Sequence, residues 1–149
     1  MSISSMKHIG IYTRNFEQMV KFYKETLGLI ELVNYTDCGM HLDHILKRTN
    51  AVANICKLIT PMGKKNGTGD MIELIGVHNN SLSSEEKELF APGLSHIAFE
   101  VDDIFSFYES IIRHGGQGIC EPKIVKDSGN YMSFCRDIEG NYIELIQKG

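Results

Sequence analysis

No stretch of the 149-residue sequence approaches the ~20 consecutive apolar residues that a membrane-spanning helix requires. The opening residues, Met1 to His8, lack an apolar core flanked by positive charge, so the expectation is a cytoplasmic protein without a membrane partner. Cysteine is sparse. Cys38, Cys56, Cys120 and Cys135 lie far apart with no Cys-x-x-Cys, which signals neither a thiolate zinc site nor a redox pair and leaves free, partly buried thiols. A basic stripe is also missing: 15 Lys and Arg are interspersed with 19 Asp and Glu for a net charge of −4, so nucleic acid is not an expected partner. What remains is a chain with 42% hydrophobic residues, long enough to bury roughly two-thirds of its unfolded surface. One compact domain over residues 1–149 is the default.

The organising feature is internal repetition. Lys7–Ile11 (KHIGI) followed by Asn15 and Phe16 is echoed by Ser95–Phe99 (SHIAF) followed by Asp103 and Ile104, at a constant offset of 88 that also carries Gly28 onto Gly116. Ile72–Ile75 (IELI) recurs unchanged as Ile143–Ile146. Each half therefore opens on a His strand and closes on a Glu strand. Between them Phe16, Met19, Val20, Tyr23 and Leu27, and then Ile104, Phe107, Tyr108, Ile111 and Ile112, follow helical spacing with one apolar face. Asn15 and Asp102 or Asp103 suit the N-caps, while Gly28 and the Gly115–Gly116 pair suit the stops.

Strands are expected over 29–35, 51–60 and 70–77, the last two joined by the turn-rich segment 61–69. In the second half, strands over 131–135 and 142–147 flank Asp137–Asn141, a short hairpin loop. The fold expected is α+β: two tandem βαβββ modules, about 6–77 and 93–147, joined by a linker over 78–92 that has one helical turn. The modules build a curved mixed sheet with the helices outside.

Alternation along a strand decides which side chains meet. Ile9 and Ile11, and Ile97, Phe99 and Val101, take the helix-facing parity, which sends His8 and His96 to the other face. By the same rule Ile72, Leu74, Ile143 and Leu145 face the helices, and Glu73 and Glu144 join the histidines. Each carboxylate sits between apolar same-face neighbours, Met71 and Ile75 or Tyr142 and Ile146, where an unpartnered charge is costly. Two imidazoles and two carboxylates suit a divalent cation, Zn, Ni, Co, Mn or Fe(II), with a position left open for substrate. His41, His44, His78 and His114 lack this pattern and read as loop or helix-surface residues, although His41–His44 (HLDH) has the spacing of an accessory metal clip.

These same residues resemble the vicinal oxygen chelate superfamily, which includes glyoxalase I, methylmalonyl-CoA epimerase, extradiol dioxygenases and fosfomycin or bleomycin resistance proteins. The resemblance spans nearly the whole chain. It rests on His8, on Phe22–Gly28, on Ile72–Leu74, on Gly93–Phe99 with Val101–Ile104, and on Arg136–Leu145. It implies that His8, Glu73, His96 and Glu144 are the four metal ligands of a glyoxalase I-type site.

Tyr12 and Val77 stand where such enzymes place the Arg and Asn that hold glutathione, which weakens the case for glutathione as substrate. Epimerases of the superfamily carry Gln in place of Glu73 and a further Glu on a first-module strand, and the segment 51–60 holds no acid. His8, His96 and Glu144 could supply a dioxygenase Fe(II) triad, with Glu73 obstructing the face that it leaves open. A non-catalytic small-molecule binder is the alternative from another class. The expected function is a metal-dependent lyase or isomerase that moves a proton beside a carbonyl through an enediolate. Glu144 is the first choice of base and Glu73 the second, and the resemblance implies a small-molecule substrate and a homodimer.

Overall fold

The computed structural model describes residues 2–67, 69–78, 88–89 and 92–149. The chain divides into two compact units, Met1–Leu82 and Ser83–Gly149. The linker expected over 78–92 falls outside the described residues except for 78, 88, 89 and 92.

In the first unit the elements run β1 (Ile9–Tyr12), α1 (Phe16–Leu27), β2 (Ile30–Cys38), α2 (Met40–Leu46), β3 (Val52–Ile59), α3 (Pro61–Asn66) and β4 (Met71–Val77). The strands form a four-stranded sheet in the order β1-β4-β3-β2, with β1 parallel to β4 and the other pairs antiparallel. The second unit runs β5 (His96–Glu100), α4 (Ile104–Arg113), β6 (Gln117–Ile124), β7 (Tyr131–Arg136) and β8 (Tyr142–Gln147). Its order, β5-β8-β7-β6, repeats the first, again with one parallel pair, β5 with β8. Each unit is thus a βαβββ sheet whose helix connects its two edge strands, β1 to β2 and β5 to β6, and the α+β class read from the repeat is the class observed. Among the described residues no helix is long and apolar enough to cross a membrane.

The five residues that set the α1 periodicity, Phe16, Met19, Val20, Tyr23 and Leu27, are all buried. They pack toward β3 and β4, where Gly76 leaves room for the helix: a Cβ there would stand 2.8 Å from Phe16 Cβ. Gly28 ends the helix at φ 66°, its amide donating to the Tyr23 carbonyl. Asn15 holds the N-cap position of α1, but its side chain makes no cap hydrogen bond. The Asp103 carboxylate does cap α4, accepting from the Ser106 amide at 3.1 Å and from its hydroxyl at 2.6 Å.

On α4, Ile104 and Ile111 are fully buried whereas Ile112 is 45% exposed. At ~100° per residue Ile111 returns to within ~20° of Ile104 while Ile112 lies ~80° away, on the flank of the face.

Three elements depart from the sequence reading. The segment 61–69 contains a one-turn helix, α3, capped by Thr60 Oγ1, which accepts from the Gly63 amide, opened by Pro61 and stopped by Gly67 at φ 73°. Residues 40–46 form α2, whose Leu42 and Leu46 pack with Ala51 and Ala53 against Ile75 and Val77. Because Ile75 and Val77 share the parity of Glu73, α2 covers one end of the β4 face that bears Glu73. The strand β6 had no period-2 signal to find. It is an edge strand holding Pro122 and two register shifts, at Gly118/Cys120 and Cys120/Lys123, each of which breaks alternation.

Candidate functional site

Strand parity is what positions the acids. In β4, Ile72 and Leu74 are 3% and 0% exposed, so the intervening Glu73 points to the opposite face. In β8, Ile143 and Leu145 are both fully buried and Glu144 takes the other face in the same way. The parallel partner strands then bring one histidine to each acid. Gly10 pairs with Glu73 and Ala98 with Glu144, so His8, just ahead of β1, and His96, the first residue of β5, each lie two residues before the partner of their acid.

The result is two closely matched pairs. His8 Nε2 lies 3.3 Å from Glu73 Oε2, and His96 Nε2 lies 3.1 Å from Glu144 Oε2. The carboxylates are withdrawn from water, at 14% and 10% side-chain exposure, while the imidazoles are about one-third exposed at 34% and 33%. The functional groups therefore sit with their acids inside and their rings at the rim.

The surroundings of the pairs differ. Ser95 Oγ is 2.7 Å from His96 Nδ1, and a hydrogen bond there fixes the ring so that Nε2 addresses Glu144. The Phe134 ring packs edge-on against His96 at 5.4 Å, and Arg136 lies over the ring of Tyr142, 4.5 Å from its centroid, while donating to the Tyr142 hydroxyl. In the first unit the residue cross-strand from Glu73 is Lys57, whose Nζ is 3.2 Å from Glu73 Oε1. Lys57 and Phe134 were not found by sequence reasoning, because strand register, which puts them beside the acids, leaves no mark in composition; Ser95 is next to His96 in the chain, but its side-chain contact with the ring has no sequence signal.

The donor set fits a divalent cation. Metal–nitrogen and metal–oxygen bonds of about 2.0–2.2 Å place neighbouring ligand atoms about 3.0–3.5 Å apart, the range into which both pairs fall. Each unit by itself brings together one imidazole nitrogen and one carboxylate oxygen. Among the described residues no group of three or more His, Cys, Asp or Glu is gathered for metal binding.

The accessory clip at His41–His44 does not form either. Asp43 instead accepts from the amides of Asn50 and Ala51 at 3.1 and 2.6 Å, and His41 pairs with Asp37 at 3.0 Å. An open depression of about 720 Å³ beside α2 is lined by Met40, Asp43, His44, Lys47, Arg48 and Thr49, none of which belongs to the His–Glu pairs.

Comparison with known proteins agrees with this architecture. Residues 5–145 match the model of the Glyoxalase/Bleomycin resistance protein/Dioxygenase superfamily. The chain belongs to that superfamily. A Vibrio cholerae protein described as a probable lactoylglutathione lyase is 37% identical over 147 residues, covering 99% of this chain and 93% of the relative. Among solved structures, a glyoxalase family protein from Bacillus cereus superposes with a TM-score of 0.86 at 18% identity, over 100% of this chain and 97% of that one. Glyoxalase I from Zea mays superposes with a TM-score of 0.67 at 21% identity, over 97% of this chain and 45% of the maize chain. At these identities the two structures speak to the fold alone.

Proposed function

We propose that the protein is a metal-dependent lyase or isomerase of the glyoxalase type, with His8, Glu73, His96 and Glu144 as ligands of one divalent cation, Zn, Ni, Co, Mn or Fe(II). The observation that carries this reading is the repeated pair: in both units an imidazole Nε2 and a carboxylate Oε2 stand at ligand–ligand distance. Two half-sites, drawn from one chain or from two copies in a homodimer, complete the ligand set. Superfamily membership and the near full-length likeness to the Vibrio cholerae relative support a glyoxalase-type role over mere binding.

A divalent cation held by His8, Glu73, His96 and Glu144 would supply positive charge beside the substrate oxygens that gain negative charge as the proton leaves. The protein's own groups then perform the proton movement. Glu144 accepts the proton from the carbon beside the carbonyl and returns it to the neighbouring carbon, acting as base and then as acid. Its placement favours this role: the carboxylate is only 10% exposed and Oε2 is 3.1 Å from His96 Nε2, so its position is fixed. His96, held by Ser95, keeps its Nε2 directed at Glu144, and Phe134, cross-strand from Glu144, packs its ring against His96.

The substrate is a small molecule with adjacent oxygens. Glutathione is not favoured: Tyr12 is half exposed and Val77 packs into the α2 cluster, so neither offers the charged or amide grip that the tripeptide needs.

The test is metal content after purification without chelator, followed by metal-dependent deuterium uptake from solvent into 2-oxo acids, hemithioacetals and CoA thioesters. One equivalent of transition metal per ligand set and exchange into one of these classes are expected. A parent protein that neither retains nor takes up metal would refute the reading.

A further inference from the structure

The repeat makes Glu73 and Glu144 interchangeable in sequence, yet register gives them unlike neighbours. Glu73 lies between Gly10 and Lys57, and Glu144 lies between Ala98 and Phe134. The position opposite the acid is thus an ammonium in one unit and a phenyl ring in the other. Lys57 Nζ is 3.2 Å from Glu73 Oε1 while His8 Nε2 is 3.3 Å from Oε2, so each oxygen of Glu73 has its own partner. On Glu144, Oε2 faces His96, and the residue in the place of Lys57 turns its ring to the same histidine.

From this asymmetry we infer that Lys57 is a positioning residue that fixes Glu73 as a one-oxygen metal ligand and so reserves the proton transfer for Glu144. The inference rests on the metal-dependent reading above. The Lys57 side chain is 32% exposed and that of Glu73 only 14%, so the pair is partly withdrawn from water and its attraction is less screened than that of a surface pair.

Two consequences follow. Holding Oε1 prevents Glu73 from swinging toward substrate and from binding a cation through both oxygens. The ammonium also opposes any cation drawn to Oε2, since it competes for the same carboxylate charge. Lys57 therefore lowers metal affinity while it orders the site, and the two half-sites contribute unequally.

The experiment is a metal-competition titration against a chromophoric chelator, using the full chain as parent, Lys57→Met and Lys57→Arg, with far-UV circular dichroism to verify that each is folded. Lys57→Met should bind Zn(II) or Ni(II) at least ~10-fold more tightly, the scale expected for removing a cation one ligand away from the metal in a partly solvated site. Lys57→Arg, which keeps the charge, should stay within a few-fold of the parent. Unchanged or weaker binding by Lys57→Met overturns the inference while leaving the metal reading intact, as does a Lys57→Arg variant that behaves like Lys57→Met. A parent that binds no metal instead removes the reading on which the inference stands.

Discussion

Replacing Glu144 by Gln separates chemistry from structure, because the side chain keeps its shape and loses only its charge and basicity. Glu144 is 8% exposed, its Oε2 is 3.1 Å from His96 Nε2, and its cross-strand neighbours Ala98 and Phe134 have no ionisable side chains. The other carboxylate on those strands, Glu100 of β5, is exposed and paired with Lys148 Nζ at 2.9 Å, so it is not placed to take over as base. The expected loss in turnover is ~10²-fold or more, the scale of removing a positioned general base, which corresponds to about 2.7 kcal/mol or more on the barrier.

The fold should barely respond. The side-chain amide introduced by Glu144→Gln can donate to His96 Nε2 in the space the carboxylate held, so the exchange of a charge-assisted for a neutral hydrogen bond costs about 1 kcal/mol. For a chain of this size that is roughly 2–4 °C in melting temperature. Glu73→Gln makes the internal comparison. It retains an oxygen ligand on the His8 side, and the ammonium of Lys57, one-third exposed, is taken up by water, so turnover should fall only several-fold. The assay is solvent deuterium exchange per bound metal, with metal content measured on the same samples. Equal losses in the two variants, or a greater loss for Glu73→Gln, would refute the assignment of the base to Glu144.

Three further outcomes test the frame around the pairs. Burial pushes the thiols of Cys56 and Cys135 up to about 11 from their ordinary value of 9.0, and a group whose pKa is raised by folding stabilises fully below its unfolded value. That contribution should erode as pH rises from about 9 toward 11, seen as a falling melting temperature, and at pH 8 a thiol reagent should label exposed Cys38 and Cys120 well before the buried pair. Asp137, 3% exposed, accepts from the amides of Glu139 and Asn141, both at 2.9 Å, and from Asn141 Nδ2 at 2.8 Å, stapling the loop that delivers Tyr142 and Glu144 into β8. Asp137→Ala should cost about 2–4 kcal/mol in chemical denaturation, since it strands several donors in a part-buried loop.

Much of this molecule was written in periodicity. A helix face repeats every 3.6 residues and a strand face every two, so Phe16 to Leu27 and the IELI segments disclosed both their elements and their buried sides. The same parity put Glu73 and Glu144 on the faces away from the core, and the structure adds the matching His8 and His96 distances. Where the period fails, the reading fails with it. β6 bulges twice around Pro122, and α2 is only seven residues long, too short to display a stripe.

Register is a different kind of information. It is set by how strands slide against one another, and a shift of one residue would replace Lys57 with Cys56 or Leu58 beside Glu73. Sequence duplication can therefore present two acids as equals when their neighbours make them unequal. The neighbours, Lys57 and Phe134, come from β3 and β7 and differ in kind, whereas the acids come from β4 and β8, which share the segment IELI. Divergence of function within a duplicated site has its freest room on those flanking strands, where a single substitution changes the charge beside a ligand without touching the ligand or the core that holds it.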